Sequence, residues 1–169
     1  KDSESWITFK TKGGVTMQRL SLCIDIDGAL PSEENENIYG IRAYNGTLRR
    51  GAREVIAELY QTHYIHFVSA REESLESACI SWLYRQQIPF DSLSLFCPAT
   101  KEDRVNALES DFVIEGSYEQ ALRLAGLGFQ VLLLDNSSNQ GPILPSITRV
   151  YNWYHVKAAI LRSLEQEAS

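Results

Sequence analysis

Short, almost wholly apolar runs alternate along this chain with segments whose apolar residues recur at helical spacing. Near-continuous apolar runs are typical of strands that are buried on both faces of a sheet. Helical segments between such strands favour a parallel sheet with helices on both sides. The pattern therefore predicts an α/β fold of three layers, helix, sheet and helix.

The predicted elements begin at residue 19. Strands are predicted at residues 20–26, 64–69, 92–96, 111–115 and 129–134, with a short sixth at 148–151. Helices are predicted at 47–61, 72–87, 101–109, 117–127 and 152–163. The irregular stretches 28–46 and 135–147 both follow strand ends, which is where ligands bind in open α/β sheets.

Length and composition suit one domain of moderate size. With 169 residues, 44% of them hydrophobic, we expect a single domain over residues 17–169. Residues 1–16 are predicted to be an N-terminal extension that is weakly structured or adds an edge strand. The net charge of −6 and the scattered basic residues argue against nucleic acid or a membrane as partner. Three sparse cysteines indicate reduced thiols and a cytoplasmic location.

Two carboxylates follow the first predicted strand. Asp25 and Asp27 are one residue apart, and Gly28 permits the chain to turn directly after them. Two carboxylates that converge on one spot repel each other unless a cation lies between them or one is protonated. Mg²⁺ is the expected cation, because it is commonly held by one or two carboxylates together with substrate phosphate.

Other strand ends bring further polar groups to the same edge, because all strands of a parallel sheet end on one side. These groups are Ser69, Ala70 and Arg71 after the second strand, Lys101 at the start of the helix after the third, and Glu115 at the end of the fourth. Taken singly, each has an ordinary structural interpretation, such as a strand-end cap or a solvated lysine. Together, in this order, they favour a site for phosphate and Mg²⁺.

Each of these residues has a chemical role in that interpretation. Asp25 is suited to attack phosphorus as a nucleophile, and Asp27 to serve as general acid and then general base. Ser69 with the neighbouring Ala70 and Arg71 would bind the phosphoryl group. Lys101 would neutralise charge on it. Glu115 would help Asp25 and Asp27 to hold the metal.

These motifs resemble the haloacid dehalogenase-like (HAD) phosphohydrolase superfamily. The resemblance rests on the sequences around Asp25 and Asp27, on Ser69-Ala-Arg71, on Lys101 and on the strand that ends at Glu115, and it covers residues 19–164. Within the superfamily the chain is similar to small nucleotidases related to 5'(3')-deoxyribonucleotidases. The resemblance implies a Rossmann-like HAD fold with sheet order 3-2-1-4-5, and a phosphorylated small molecule such as a nucleotide as substrate.

The sequence also departs from the family pattern. The fourth motif usually ends in two acids, whereas here Gly116 follows Glu115, and Asp135 is a poorly placed substitute. Residues 28–46 leave room only for a short cap, or for none. An open site of this kind would suit a partner protein or a second copy as its cover.

Two functions remain open at this point. The first is a Mg²⁺-dependent phosphomonoester hydrolase that acts through an aspartyl-phosphate. The second is a catalytically weak or inactive module that binds phosphate and regulates, which Gly116 and the missing cap would favour. A phosphorelay receiver domain is discounted, because no aspartate ends the third strand.

Overall fold

A computed structural model describes residues 9–10, 16–17, 19–31, 47–95 and 101–167. Near its start, the strands β1 (Phe9–Lys10) and β2 (Thr16–Met17) form a small antiparallel pair apart from the main sheet. The edge strand predicted around residues 6–9 lies mostly outside the described residues. The loop in which a cap was predicted to be short or absent, residues 32–46, lies outside them too.

The main sheet has six parallel strands. They are β3 (Ser21–Ile24), β4 (Tyr64–Ser69), β5 (Ser92–Leu95), β6 (Phe112–Glu115), β7 (Val131–Leu134) and β8 (Ile147–Val150). Their spatial order is β5-β4-β3-β6-β7-β8. Counted within this sheet, the order is 3-2-1-4-5-6, so the predicted order is confirmed and the sixth strand extends it beside the fifth.

Helices cover both faces of this sheet. They are α1 (Ala52–Tyr60), α2 (Glu76–Arg85), α3 (Lys101–Ala107), α4 (Tyr118–Gly126) and α5 (Trp153–Glu167), and a short 3₁₀ turn, Glu73–Leu75, precedes α2. Helices α1, α2 and α5 pack on one core, and α3 and α4 pack on the other. Successive strand residues alternate between the two cores: Leu22 and Ile24 face the first, and Cys23 faces the second.

Helix starts are defined by local chemistry. Ser117 and Asn152 cap their helices as predicted: the Ser117 side chain accepts a hydrogen bond from Gln120 N at 3.4 Å, and Asn152 Oδ1 accepts one from His155 N at 3.0 Å. Helix α1 starts five residues after its predicted start, because Gly51 takes a left-handed conformation with φ 82° immediately before it.

Two cysteines of the described residues, Cys23 and Cys79, are buried. Burial raises the pKa of Cys23 to about 11, so this thiol stays protonated and unreactive at neutral pH. In the part of the chain that the structure describes, no helix has the length and apolar character needed to cross a bilayer.

Candidate active site

A buried lysine lies between two buried carboxylates where the central strands end. Lys101 Nζ donates to Asp25 Oδ1 at 2.9 Å and also to Glu115 Oε1. Strand alternation explains why these three side chains meet. Asp25 lies two residues after Cys23, and Glu115 two residues after Val113, so both point to the face of the sheet that α3 covers. The side chains of Lys101, Asp25 and Glu115 are only 2%, 9% and 0% exposed.

Charge in this cluster is unbalanced, since two carboxylates share one ammonium group. Burial raises the pKa of Glu115 to about 7. The Lys101 ammonium opposes this rise, and the Asp25 carboxylate adds to it. Burial alone would lower the pKa of Lys101, but the two carboxylates outweigh burial and hold it above its ordinary value. An additional cation next to Asp25 and Glu115 would therefore be electrostatically favoured.

Asp27 belongs to a second, more open group of side chains. Its carboxylate accepts two hydrogen bonds from Arg71 Nε, at 2.7 and 3.0 Å, and one from Ser69 Oγ at 2.9 Å. The Arg71 side chain is 9% exposed, whereas that of Asp27 is 40% exposed. Ala70 lies between Ser69 and Arg71 at the surface. The predicted residues of the second strand end thus gather around Asp27.

The turn after β3 also orients Asp25. Gly28 N donates to Asp25 Oδ2 at 2.9 Å, while Lys101 takes the other carboxylate oxygen. The side chain of Trp153, at the start of α5, donates from Nε1 to Ala29 O at 3.0 Å and so fixes the chain just beyond this turn. Both oxygens of Asp25 are therefore held in place.

Gly116 has a packing reason to be glycine. A Cβ built there would lie 2.2 Å from Gly28 O, and one built on Gly28 would lie 2.5 Å from the Gly116 Cα. The turns after β3 and β6 touch through their backbones at this point. No side chain fits in the position where the family usually has a second acid.

Two buried asparagines hold the carbonyl of Gly116, and the sequence analysis missed this role. Asn136 Nδ2 and Asn139 Nδ2 both donate to Gly116 O, at 3.0 and 2.9 Å. The signal was the Asp-Asn-Ser-Ser-Asn run after an apolar strand, which is typical of a side-chain-stabilised turn. Such a turn forms here, since Ser138 N donates to Asn136 Oδ1 at 2.9 Å.

Asp135 does not take the role of the missing second acid of the fourth motif. Its carboxylate accepts hydrogen bonds from Arg149 Nη1 at 2.9 Å and from Gln140 Nε2 at 3.0 Å. Arg149 also donates to Asn139 Oδ1 at 2.9 Å. Asp135 therefore supports the asparagine turn on the β7–β8 side, instead of supplying the carboxylate that Gly116 lacks.

Asp25 and Glu115 are the residues here with oxygen atoms suited to a hard cation. Within the described residues, no group of three or more His, Cys, Asp or Glu side chains is arranged to hold a metal. Glu115 Oε2, however, is buried and makes no hydrogen bond of normal geometry within the described residues, although the Ser117 backbone N–H lies near the carboxylate and lowers its pKa. A buried carboxylate oxygen without a partner is costly, and a cation bound there would satisfy it.

Sequence comparison relates this chain to a known protein. No protein-family model matches the sequence. A nucleotidase of Clostridium acetobutylicum is 31% identical over an alignment that covers 89% of this chain and 98% of that protein.

Solved structures show the same fold. A haloacid dehalogenase-like hydrolase from Xanthomonas campestris aligns over 90% of this chain and 98% of its own, with a TM-score of 0.65 and 10% identity. YfnB of Bacillus subtilis, a HAD-hydrolase solved bound to magnesium, aligns over 85% of this chain and 99% of its own, with a TM-score of 0.62 and 10% identity. The chain therefore has the fold of haloacid dehalogenase-like hydrolases, and by sequence it belongs to the same family as the nucleotidase of Clostridium acetobutylicum.

Proposed function

We propose that this protein is a Mg²⁺-dependent phosphomonoester hydrolase that acts on nucleotides through an aspartyl-phosphate intermediate. The observation that carries the proposal is the buried pairing of Asp25 and Glu115 on Lys101, at the strand ends where α/β enzymes bind ligands. The name of the Clostridium relative supports nucleotides as the substrate class.

Mg²⁺ fits the side chains around this pair. Asp25 and Glu115 would hold it, since they offer carboxylate oxygens and one of these, Glu115 Oε2, makes no hydrogen bond of normal geometry within the described residues. The sequence also predicts Asp27 as a ligand, although its carboxylate is bonded to Arg71 and Ser69 in this structure. Bound Mg²⁺ would supply positive charge to offset the carboxylates and an incoming phosphate dianion.

Asp25 is the proposed nucleophile. Lys101 and Gly28 N hold its two oxygens, so the carboxylate does not have to be ordered when a substrate arrives. One carboxylate oxygen would attack phosphorus, form the acyl-phosphate bond and break the phosphorus–oxygen bond to the leaving group. Lys101 would neutralise charge on the phosphoryl oxygens as it is transferred.

Asp27 is the proposed general acid and base. In its protonated form it would give its proton to the leaving oxygen, and the resulting carboxylate would later take one from the water that hydrolyses the acyl-phosphate. In the present arrangement Arg71 and Ser69 occupy its oxygens. We propose that substrate phosphate draws the Arg71 guanidinium away from Asp27, because arginine pairs with phosphate in the same bidentate way as with a carboxylate. Ser69, Ala70, Arg71 and Lys101 would then bind the phosphoryl group.

The competing interpretation as an inactive regulatory module depended in part on Gly116. The contact with Gly28 gives this glycine a packing role. Gly116 is therefore explained by packing, while the described residues supply no second carboxylate in its place.

Substitution of the nucleophile tests the proposal. Asp25→Asn should reduce phosphate release from an aryl phosphate and from nucleoside monophosphates by at least about 10³-fold, while Asp91→Asn, at the start of β5, should leave it unchanged. Calorimetric titration should show Mg²⁺ binding to the wild type and weaker binding to Glu115→Gln. Full activity in Asp25→Asn would exclude the mechanism, and absent Mg²⁺ binding at millimolar concentration would exclude the metal.

A further inference from the structure

A cavity whose lining includes three arginines lies at the start of α1. Its volume is about 670 Å³, within the range of sites for small molecules. Its lining includes Arg49, Arg50, Arg53, Glu54, Gln86 and Tyr154. None of the described residues that line it belongs to the candidate active site.

Positive charge is concentrated here although the chain as a whole is acidic. Three arginines stand within five residues in a chain whose net charge is −6. They flank the start of a nine-residue helix, where the helix dipole already adds positive charge. Glu54 offsets part of this charge. Cations at a helix start are unfavourable for folding alone, so the arrangement favours an anion as ligand.

The helix start has no side-chain cap, since Gly51 occupies the cap position. Gly51 and Ala52 are both buried, and Ala52 N donates to Arg49 O at 3.1 Å. A bound anion would therefore be held by the exposed arginine side chains. Arg53 is placed by its hydrogen bond to Gln86 Oε1 at 3.3 Å.

An aromatic ring forms one wall of the cavity. Tyr154 is 48% exposed. A Cβ on Gly51 would lie 2.9 Å from its Cε2 atom, so the ring packs directly on the glycine backbone. The ring is held in position yet keeps an accessible surface, which suits stacking against a planar base.

We propose that this cavity binds a nucleoside phosphate, with the phosphate on Arg50 and Arg53 and the base against Tyr154. The arginines recognise a dianionic group, and the ring recognises a flat heterocycle. The site goes beyond the proposed hydrolase function and does not depend on it, since it needs neither Asp25 nor a metal.

Calorimetry on the full chain in EDTA tests the site, with adenosine monophosphate, inorganic phosphate and adenosine as separate probes. Adenosine monophosphate should bind most tightly. Arg50→Ala/Arg53→Ala should weaken this binding by about tenfold or more, whereas Arg85→Ala/Arg162→Ala, which removes the same charge from exposed positions, should not. Tyr154→Leu should weaken binding of the nucleotide but not of phosphate, and Tyr151→Leu should change neither.

Any one of three results would overturn the proposal. Equal effects of the two arginine double variants would show that general charge attracts the nucleotide. Equal affinities for adenosine monophosphate and inorganic phosphate would show that the nucleoside is not recognised. An unchanged nucleotide affinity in Tyr154→Leu would show that the base does not stack on this ring. Binding of adenosine monophosphate in the Asp25→Asn variant should equal that of the wild type. The test of this binding site is thereby independent of the test of the proposed hydrolase activity.

Discussion

The two edges of the main sheet use aspartates in opposite ways. Where strands begin, Asp91 Oδ2 accepts a hydrogen bond from Ile65 N at 2.7 Å, and Asp111 Oδ2 accepts one from Ser21 N at 2.6 Å. Where strands end, Asp25 faces Lys101 in a buried cluster with a second carboxylate. The same residue type thus caps backbone donors at one edge and accumulates negative charge at the other.

The difference separates stability from function. An aspartate that caps a backbone N–H is satisfied by the fold itself. Buried carboxylates that crowd one ammonium group are not satisfied by the fold, and they favour a further cation. We therefore expect substitutions at the starting edge to change the free energy of unfolding, and those at the ending edge to change catalysis as well.

The largest effect is expected for Lys101→Met. This change leaves two buried carboxylates without their ammonium partner, so the free energy of unfolding should fall by about 3–5 kcal/mol, and phosphate release should be lost. Urea unfolding and a phosphatase assay measure the two effects.

A matched control is Lys157→Met. Lys157 pairs with Glu58 at the surface, so this variant should lose at most about 1 kcal/mol and keep its activity. If Lys101→Met were as stable as this control, the buried cluster would not carry the charge assigned to it.

A methyl group between the two turns should have the next largest effect. Gly116→Ala pushes against the Gly28 carbonyl, and it should cost about 1–3 kcal/mol and reduce turnover. Gly126→Ala in α4 is the control, because nothing lies within 4 Å of its Cβ. It should leave stability unchanged or raise it. Equal stabilities of the two variants would contradict the contact between the turns.

Asp91→Ala tests the starting edge. It leaves Ile65 N without its side-chain acceptor, which should cost about 1–2 kcal/mol with turnover per folded molecule unchanged. A decrease in kcat at saturating Mg²⁺ would show that the two edges are coupled, and it would contradict the separation of stability from catalysis.

The smallest effect should be a pH dependence at the starting edge. Burial, with Arg19 adding to it, lowers the pKa of His63 from its ordinary 6.5, and His63 Nδ1 accepts from Leu20 N at 3.3 Å. The folded state therefore resists protonation, and stability that is fully present above pH 6.5 should be lost as the pH falls below 6.5 and through the lower pKa of the folded state.

Unfolding curves across this range should show a weaker acid dependence in His63→Gln than in the wild type. The remainder is expected from His66, whose pKa burial also lowers. His155→Gln, at an exposed position, should retain the full dependence. An unchanged dependence in His63→Gln would contradict the role given to this ring.

Much of the fold follows from local patterns. Strand positions were predicted because buried parallel strands are continuously apolar, as in β7, where all four residues are buried. The sheet order, in contrast, was implied by the resemblance to a known family. The start of α1 was placed too early, because helical spacing of apolar residues does not reveal a left-handed glycine. A Cβ at Gly51 would also meet the Tyr154 ring, which is far away in sequence.

The candidate site was predicted less completely than the fold. The meeting of Asp25, Lys101 and Glu115 followed from strand ends and face alternation, which are readable locally. The role of Gly116 was not, since its cause is the backbone of Gly28. Nor did any local pattern show that Asn136 and Asn139 would converge on one carbonyl 20 and 23 residues earlier in the chain.

The bond from Trp153 to Ala29 joins residues 124 positions apart. During synthesis, the loop behind the proposed nucleophile therefore lacks its anchor until α5 has left the ribosome. A nascent chain released before α5 would have most of the sheet but an unsupported turn at Ala29. We therefore expect the proposed reaction centre to form only after α5 has packed on the sheet.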